Sequence, residues 1–467
     1  MTAARVLNGT DLGKLVEELA ARHEVVGASV AVLAGGDVAV ATSGTANLRT
    51  GVPVTPETVF QIGSVTKVYT ATLVMQLVGE GLIDLDEPVA SYVPGLRLGP
   101  DGAEHEVTVA HLLSHSSGLF GDVFADFGRG EQACLALLDR LVELEAVAPP
   151  GRFVSYCNAG YVVLGRIVEL LTQRPYHMAW RERLTGPIGA DDTVVLPEEA
   201  ILRPVAIGHL VDPGDARSGP RPAPVWSLSA AQAAAGALPC ATAVDLVRFA
   251  RLHLDDGAAE SGERVLAAHA ARAMRAPTAP LPLPVGDLHA WGLGWMLMDH
   301  DGTPAYGHQG ATIGNNASLH VLPDQHGAMA ILTNGGRGWS RFHHGLLDAF
   351  LEELAGALLT VAPQPRADTS DVDVDALLGT FRNPLFQHTI RRDADGGLVY
   401  DTEQLTPVHG APDRSARGKP ARVIDDQRLL LGHPDRDGPG EVAALFDPDG
   451  DGRYQRLHFE LRAFNRA

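Results

Sequence analysis

The N-terminal part of the chain alternates between helical and strand-like hydrophobic patterns. Residues 11–22 carry apolar side chains at the spacing of an amphipathic helix, with Thr10 or Asp11 as its cap. Two runs rich in β-branched residues, 27–33 and 38–42, follow and flank a Gly-Gly-Asp turn. This arrangement predicts a helix followed by a β-hairpin.

Similar patterns return before residue 360. Residues 317–322 and 328–333 form a second pair of apolar runs around a polar turn, and residues 339–359 again have helical spacing. Residues 65–260, between the two hairpins, are largely helical in pattern. We therefore expect the two hairpins to join in one antiparallel sheet, with the helical region inserted between them.

The C-terminal part of the chain has a different pattern. A polar, proline-containing stretch at residues 361–371 indicates a linker. Beyond Gly379, short apolar runs alternate with Gly, Pro and Asp clusters, which is typical of a small all-β barrel or sandwich. The expected strands lie at residues 389–391, 397–400, 428–431, 442–446 and 457–461. The chain thus divides into a main domain (residues 1–362), a linker (363–375) and a β-domain (376–467).

Composition excludes several classes of function. The 467 residues carry a formal net charge of −20, which repels nucleic-acid phosphates and anionic membrane surfaces. No apolar run has the length that spans a bilayer, and the N-terminal residues lack the basic start and apolar core of an export signal. We therefore expect a cytoplasmic protein that binds neither nucleic acid nor membrane. The three cysteines have spacings that match neither a disulfide framework nor a zinc site, so we expect no metal and no cofactor.

The sharpest local feature begins at Ser64, where a strand-like run passes into a strong helical pattern. Lys67 lies three residues later, so on a helix the hydroxyl and the amine share a face. A helix N-terminus favours the negative charge that builds on an attacking serine, and burial lowers the pKa of a lysine toward a useful base. The pair is a candidate nucleophile and base. Taken alone, Ser-x-x-Lys is also common as a capping serine beside a solvated lysine.

Two further segments carry groups that suit the same chemistry. Tyr156 and Asn158 stand just before a predicted helix; the tyrosine suits proton relay, and the asparagine suits holding either a substrate amide or the Lys67 amine. Residues 306–314, just before a predicted strand, contain His308 and glycines that allow close approach of backbone to a substrate.

In this arrangement the backbone amides of Ser64 and Ala311 would form an oxyanion hole. Removing one such donor typically costs about 3–4 kcal/mol of transition-state stabilisation.

These motifs together resemble those of the penicillin-recognising serine enzymes, and specifically of their class C β-lactamase-like branch. The family motifs Ser-x-x-Lys, Tyr-x-Asn and, in part of the branch, His-x-Gly occur here in order. They match Ser64 and Lys67, Tyr156 and Asn158, and His308 and Gly310. The resemblance covers roughly residues 10–360; the β-domain resembles the lipocalin-like domain of some members by pattern and position alone.

The resemblance implies an α+β protein with a β-lactamase/transpeptidase-like fold, in which helices flank an antiparallel sheet beside a helical subdomain, followed by a small lipocalin-like β-domain. It also implies that Lys67 deprotonates Ser64, which attacks a carbonyl and becomes acylated, and that Tyr156 returns the proton. The implied catalytic residues are Ser64, Lys67, Tyr156 and His308, and the substrate and oxyanion groups are Asn158, Gly310 and Ala311.

The substrate is expected to be a small peptide or ester. A histidine at position 308, where many β-lactamases have lysine, has no permanent charge to hold a free carboxylate. The resemblance to penicillin-binding-protein-type thioesterases favours release and macrocyclisation of a nonribosomal peptidyl thioester with a D-configured C-terminal residue. A peptidyl carrier protein is then a candidate partner, although carriers are commonly acidic and the charge of −20 gives no steering toward them.

The same motifs also fit a cytoplasmic carboxylesterase, a D-aminopeptidase or DD-peptidase, with a β-lactamase less favoured, or a catalytically silent binding module. The five side chains needed for chemistry are all present, which argues against the silent module.

Several other residues are of types that occur in functional sites. His111 and His115 are spaced for one helix face but are expected to pack or cap rather than to bind metal. Residues 447–452 imitate half of a calcium loop and are expected to form a hairpin turn. Cys157 is expected to be a buried thiol directed away from the chemistry. One hypothesis is that Arg462 reaches from the β-domain over the cleft to hold a substrate carbonyl or carboxylate.

Overall fold

The computed structural model describes residues 9–100, 102–212, 218–359, 364–408, 413–432 and 441–467. Residue 363 of the expected linker lies outside these ranges. The strands of the main domain are, in chain order, β1 (Gly27–Ala34), β2 (Asp37–Asn47), β3 (Val52–Pro53), β4 (Phe60–Gln61), β5 (His209–Leu210), β6 (Arg221–Pro222), β7 (Cys240–Ala241), β8 (Ala279–Val285), β9 (Leu288–Trp291), β10 (Met296–His300), β11 (Thr303–Ala311), β12 (Asn316–Leu322) and β13 (Gly327–Thr333).

The α-helices are, in chain order, α1 (Gly9–Arg22), α2 (Thr66–Gly79), α3 (Val109–Leu113), α4 (Glu131–Arg140), α5 (Asn158–Thr172), α6 (Tyr176–Trp180), α7 (Pro197–Ala200), α8 (Ala243–Leu254), α9 (Ala268–Met274), α10 (Trp339–Ala355) and α11 (Val374–Leu377). Short 3₁₀ segments include Gly63–Val65 and Ala230–Ala235, which both border the candidate site. Among the described residues, no helix is both long and apolar enough to cross a lipid bilayer.

One large antiparallel sheet organises the main domain. In the described part of the chain it has nine strands, in the order β3-β2-β1-β13-β12-β11-β10-β9-β8. The two hairpins predicted from the sequence are β1-β2 and β12-β13, and they join where Ala28 of β1 lies opposite Thr333 of β13. The prediction of a single sheet closed by the two ends of the domain is confirmed.

Strand β1 shows why the sheet is covered on both faces. All of its residues are buried, and their side chains alternate between two hydrophobic clusters. Ala31 and Leu33 belong to the cluster that contains α2 and α8, whereas Val30 and Val32 belong to the cluster that contains α1 and α10. The main domain is therefore a sheet between two helical layers.

Helix α2 lies inside the larger layer and carries the candidate base. Its residues from Thr66 to Leu77 are all buried, which fits its uniformly apolar sequence rather than an amphipathic pattern. The 3₁₀ turn that bears Ser64 precedes this helix directly. A side chain at the start of α2 is thus fixed by the core of the domain.

The β-domain is a closed barrel in the described part of the chain, and it fits the expected lipocalin-like domain. Its strands follow one another around the barrel, and β21 closes it by pairing with β14: β14 (Gly379–Arg382), β15 (Phe386–Arg392), β16 (Leu398–Gln404), β17 (Ala416–Val423), β18 (Arg428–Leu431), β19 (Glu441–Pro448), β20 (Tyr454–Phe459) and β21 (Arg462–Arg466). The barrel core continues into the main domain through Phe120 and Phe153.

Several predicted boundaries differ from the structure. Helix α10 ends at Ala355 instead of continuing to Leu359, because Gly356 adopts a left-handed conformation (φ +65°) and its amide closes the last turn. The run 457–461 is not one strand, because β20 ends at Phe459 and a two-residue turn leads into β21. Strands β14 and β17 escaped prediction because glycine and charged residues interrupt their apolar pattern.

Candidate active site

Ser64 and Lys67 form the centre of the site. The 3.1 Å separation of Lys67 Nζ from Ser64 Oγ is a hydrogen-bond distance, produced by the three-residue spacing across the start of α2. Two other acceptors surround the amine, Asn158 Oδ1 at 2.7 Å and the carbonyl oxygen of Ala235 at 2.6 Å. A neutral amine has two N–H groups and one lone pair. The two carbonyl oxygens use both N–H groups, so the lone pair faces the Ser64 hydroxyl.

The surroundings of Lys67 favour this neutral form. The side chain is fully buried, and desolvation lowers the pKa of the Lys67 amine to about 7, from an ordinary value of 10.5. Asp122 opposes this shift and Arg462 reinforces it. A lysine with a pKa near neutrality is a base that is ready to accept the proton of Ser64.

Tyr156 lies over the same pair. The Lys67 amine is 4.8 Å from the centre of the Tyr156 ring, and the ring stacks on His115 with a centroid separation of 4.1 Å. Burial raises the pKa of the Tyr156 hydroxyl, and the neighbouring Ser64 hydroxyl opposes that shift. The buried hydroxyl has no hydrogen-bond partner of standard geometry among the described residues. It is therefore a protonated group beside the nucleophile.

Asn158 connects the base to a buried ion pair. It is the first residue of α5; its Oδ1 accepts from Lys67, and its Nδ2 donates to Asp122 Oδ1 at 2.5 Å. The other carboxylate oxygen of Asp122 accepts from the guanidinium of Arg462, which comes from the barrel. Of the two roles considered from the sequence for Asn158, the structure shows contact with the lysine.

The third motif occupies the end of β11 and, as predicted, stands just before the next strand, β12. This part of β11 runs against the 3₁₀ turn of Ser64 with no room for a side chain. A Cβ at Gly310 would overlap the carbonyl oxygen of Ile62, and one at Gly63 (φ +52°) would overlap the backbone of Ala311. The glycines thus allow the Ser64 and Ala311 segments to form one wall of the same cleft.

His308 enters the cleft as a neutral imidazole. Burial lowers its pKa to about 3, with a further contribution from Lys67. Its Nδ1 lies 2.6 Å from the carbonyl oxygen of Gln309, so Nδ1 donates its proton and Nε2 carries a lone pair. His308 therefore supplies an uncharged acceptor where a lysine would supply a positive charge.

The cleft has a volume of about 350 Å³, and the predicted residues Ser64, Tyr156, Asn158, His308, Gly310 and Ala311 all line it. A larger cavity of about 1160 Å³ adjoins it, and Phe124, Leu228 and Gln232 line both. Lys67 lies directly beneath the cleft wall through its contacts with Ser64 and Asn158. The structure therefore brings all seven predicted residues together.

The other residues named in the sequence analysis have structural roles outside the catalytic chemistry. His111 Nδ1 accepts from the amide of Thr108 and caps α3, as expected, while buried His115 accepts from the amide of Cys157. The Cys157 thiol is buried, and its pKa rises to about 11 because of burial. The Asp449 carboxylate accepts hydrogen bonds within its own turn between β19 and β20, as expected of a hairpin.

Sequence reasoning missed Asp122, Trp291 and the supporting role of His115. Trp291 lines the cleft and lies edge-on to Tyr156, with ring centroids 5.9 Å apart. Neither Asp122 nor Trp291 belongs to a motif, and only the folded chain brings them to the site. Arg462 does line the cleft, but its guanidinium binds Asp122 and the carbonyl oxygen of Glu460.

The geometry defines a class of chemistry. A serine hydroxyl faces the lone pair of a buried lysine, a protonated tyrosine stands beside both, and two backbone segments close the cleft around them. These groups are the ones required for nucleophilic attack on a carbonyl carbon with formation of a serine acyl-enzyme. Among the described residues, no cluster of three or more His, Cys, Asp or Glu side chains is placed to bind a metal ion.

Comparison with known proteins agrees with this class. Residues 12–352 match the family model described as Beta-lactamase, so the chain belongs to the beta-lactamase family of serine acyl-enzyme hydrolases and transpeptidases. Penicillin-binding protein 4 of Amycolatopsis lactamdurans is 43% identical over 367 residues, which are 78% of this chain and 95% of that protein.

Solved structures extend the likeness to the barrel. SurE superposes with a TM-score of 0.76 at 29% identity, over 98% of this chain and 99% of the SurE chain. A D-amino acid amidase from Ochrobactrum anthropi SV3, complexed with D-phenylalanine, has a TM-score of 0.63 at 25% identity and covers 75% of this chain and 99% of its own. The likeness to SurE therefore includes both domains.

Proposed function

We propose that this protein releases and macrocyclises a nonribosomal peptidyl thioester whose C-terminal residue has the D configuration. The observation that carries the proposal is the hydrogen-bonded pair of Ser64, which lines the cleft, and buried Lys67, in a chain that resembles SurE over both domains. SurE has also been solved with D-Leu. The D-amino acid amidase, solved with D-phenylalanine, adds support for a D-configured residue at the reacting carbonyl.

The proposed reaction has two halves. Lys67 accepts the Ser64 proton as Ser64 Oγ bonds to the thioester carbonyl carbon, and the C–S bond breaks as the thiolate takes a proton delivered through Tyr156. In the second half, the terminal amine of the same peptide bonds to that carbon. Its proton passes through Tyr156 and Lys67, and Ser64 leaves as a hydroxyl. Water in place of the amine would give the linear acid.

Two features of the cleft support a large, uncharged acyl donor. The neutral His308 provides no positive charge to bind a free carboxylate. A thioester has no free carboxylate at its reacting end, so it does not need that charge. The adjoining cavity of about 1160 Å³ provides room for a peptide chain beyond the reacting residue. A peptidyl carrier protein is the proposed source of the thioester. Because the net charge of −20 gives no long-range attraction to an acidic carrier, docking would depend on short-range contacts.

A second candidate is a D-amino acid amidase or D-aminopeptidase. The likeness to the D-amino acid amidase favours it, but that likeness covers 75% of this chain. The barrel lines the cleft through Leu461 and Arg462, so a function that uses both domains accounts for more of the molecule.

The test is a substrate panel for the full chain and Ser64→Ala, with products identified by mass spectrometry. The panel contains two peptidyl thioesters that differ only in the configuration of the C-terminal residue, a nitrophenyl ester, D-alanine anilide and a chromogenic cephalosporin. We expect cyclic product from the D-terminated thioester with the unaltered protein alone. Turnover of the anilide alone would indicate the amidase, turnover of simple esters alone an esterase, and no turnover of any of these substrates would favour a catalytically silent binding module.

A further inference from the structure

The hairpin between β20 and β21 reaches from the barrel into the catalytic centre. The amide of Tyr156 donates to the carbonyl oxygen of Leu461 at 2.8 Å, and the amide of Ala463 donates to Ser155 Oγ at 3.2 Å. The segment that carries the second catalytic motif is therefore hydrogen-bonded to the hairpin turn and to the strand that follows it. The barrel forms part of the wall that holds Tyr156 in place.

The turn of this hairpin is conformationally costly. Glu460 (φ +47°) and Leu461 (φ +63°) both adopt left-handed conformations, which a type I′ turn requires and which glycine and asparagine fill more easily. Residues held in such conformations persist where surrounding contacts determine them, and they cluster at functional sites. Here Arg414 binds the Glu460 carboxylate at 2.5 Å and Tyr156 binds Leu461.

Arg462 follows the turn and meets a buried carboxylate of the main domain. The Asp122 side chain is 1% exposed and accepts from the Arg462 guanidinium, which also lies 5.1 Å from the centre of the Tyr156 ring. A buried carboxylate without a partner is strongly unfavourable. Arg462 is thus the counter-charge of Asp122 beside the site.

Asp122 in turn determines the orientation of Asn158. A carboxylate that pairs with a guanidinium accepts hydrogen bonds, so Asp122 selects the amide rotamer in which Asn158 Nδ2 faces it. Oδ1 then faces Lys67 and takes one of its N–H groups. With the amide reversed, Asn158 would present N–H groups to Lys67 and its lone pair would no longer be directed at Ser64.

We propose that Asp122 and Arg462 are positioning residues of the catalytic centre: their buried ion pair, which spans the two domains, orients Asn158 and through it Lys67. The barrel is then part of the catalytic apparatus and not only a wall for substrate. This inference rests on the proposed Ser64 acylation, but it is independent of the natural acyl donor.

Asp122 and Arg462 also act on the pKa of Lys67, in opposite directions. Charged or titratable groups that face the amine are Asp122, Arg462, Cys157, Tyr156, Tyr161, His115 and His308. Asp122 raises the pKa of Lys67 and Arg462 lowers it, so each offsets the other. Removing Arg462 alone leaves the Asp122 charge uncompensated and should keep Lys67 protonated to higher pH.

The experiment measures the pH dependence of Ser64 acylation by p-nitrophenyl acetate, a neutral ester with no carboxylate for an arginine to hold. Acylation of the unaltered full chain, seen as a Ser64 adduct by mass spectrometry, tests the proposed chemistry itself. We expect Arg462→Gln to reduce the rate at pH 7 by at least tenfold and to move the acid limb about one pH unit upward. Asp122→Asn should move the limb downward, and the double variant should return it toward the original position.

Two further variants make the outcome decisive. Arg462→Lys retains the charge and should keep the acid limb in place, so it serves if Arg462→Gln does not fold. Arg391→Gln removes a barrel arginine that pairs with Asp401 and does not line the cleft, and it should leave the rate unchanged. A uniform loss of rate in both Arg462 variants without any shift of the acid limb, or opposite shifts that fail to cancel in the double variant, would overturn the proposal.

Discussion

Asn158 accepts a hydrogen bond of 2.7 Å from the amine of Lys67. Together with the carbonyl oxygen of Ala235, it occupies the two N–H groups of the neutral amine and leaves the lone pair for Ser64. Activity therefore depends on the protonation state of one buried group and on the geometry of the acceptors around it. Both can be tested separately.

The nucleophile can be tested by a serine substitution with a matched control. Ser64→Ala removes the attacking oxygen, so acyl-enzyme should not form and kcat/KM should fall by a factor on the order of 10³ or more. Ser29→Ala removes a buried serine of β1 away from the cleft and should keep full activity. An adduct that persists in Ser64→Ala would place the nucleophile elsewhere.

The pKa of Lys67 predicts the pH profile. The neutral amine is the active form, so the rate of acylation should rise with pH and level off above about 7, where the buried amine loses its proton. Tyr156 should not limit the rate on the alkaline side of this range, because burial raises its pKa above the ordinary value of 10.0. A stopped-flow profile with its midpoint near 10 would show instead that Lys67 behaves as an ordinary solvated amine.

The Tyr156 hydroxyl can be removed with little change in packing. Tyr156→Phe retains the ring that stacks on His115, so the melting temperature should change little. Loss of proton relay should lower kcat by a factor on the order of 10² to 10⁴. Tyr400→Phe, which removes a hydroxyl bonded to the backbone of Gly432 in the barrel, should show the opposite result, with lower stability and unchanged kcat.

The close approach of β11 to the nucleophile predicts the effect of a single methyl group. Gly310→Ala would place a Cβ against Ile62 and the Ser64 amide, so the turn must move away from β11. We expect a loss of kcat on the order of 10² to 10³ as the oxyanion donors separate. Gly13→Ala, in an open position of α1, should leave activity intact and raise helix stability by about 1 kcal/mol. Equal kcat in Gly310→Ala and the unaltered protein would show that Ala311 does not supply an oxyanion donor.

The sequence predicted the elements whose pattern is local. The hairpins β1-β2 and β12-β13 were visible because β-branched runs flank short polar turns. The pairing of Ser64 with Lys67 was visible because three residues on a helix bring two side chains together. In each case the prediction depended on residues that are neighbours along the chain.

The parts that escaped prediction depend on contacts between distant residues. Asp122 and Arg462 are far apart in sequence and carry no motif, so only the docked barrel reveals their ion pair. The turn at Glu460 and Leu461 was hidden because neither residue is a usual turn former. The sequence predicted that Arg462 lies over the cleft, but it did not predict that Asp122 is its partner. The direction of the Arg462 side chain depends on the preceding turn, which the sequence pattern did not show.

The pairing of β1 with β13 has a consequence for how the chain folds. Ala28 and Thr333 are paired neighbours in the interior of the sheet. During synthesis, the β1 edge of the N-terminal hairpin therefore stays unpaired until β13 has been made. Such distant pairing slows folding, and an unpaired, largely apolar strand is a site for association with other chains. Fragments that stop short of β13 should therefore aggregate during expression, and slower translation through residues 34–327 should lengthen the period in which chaperones are needed.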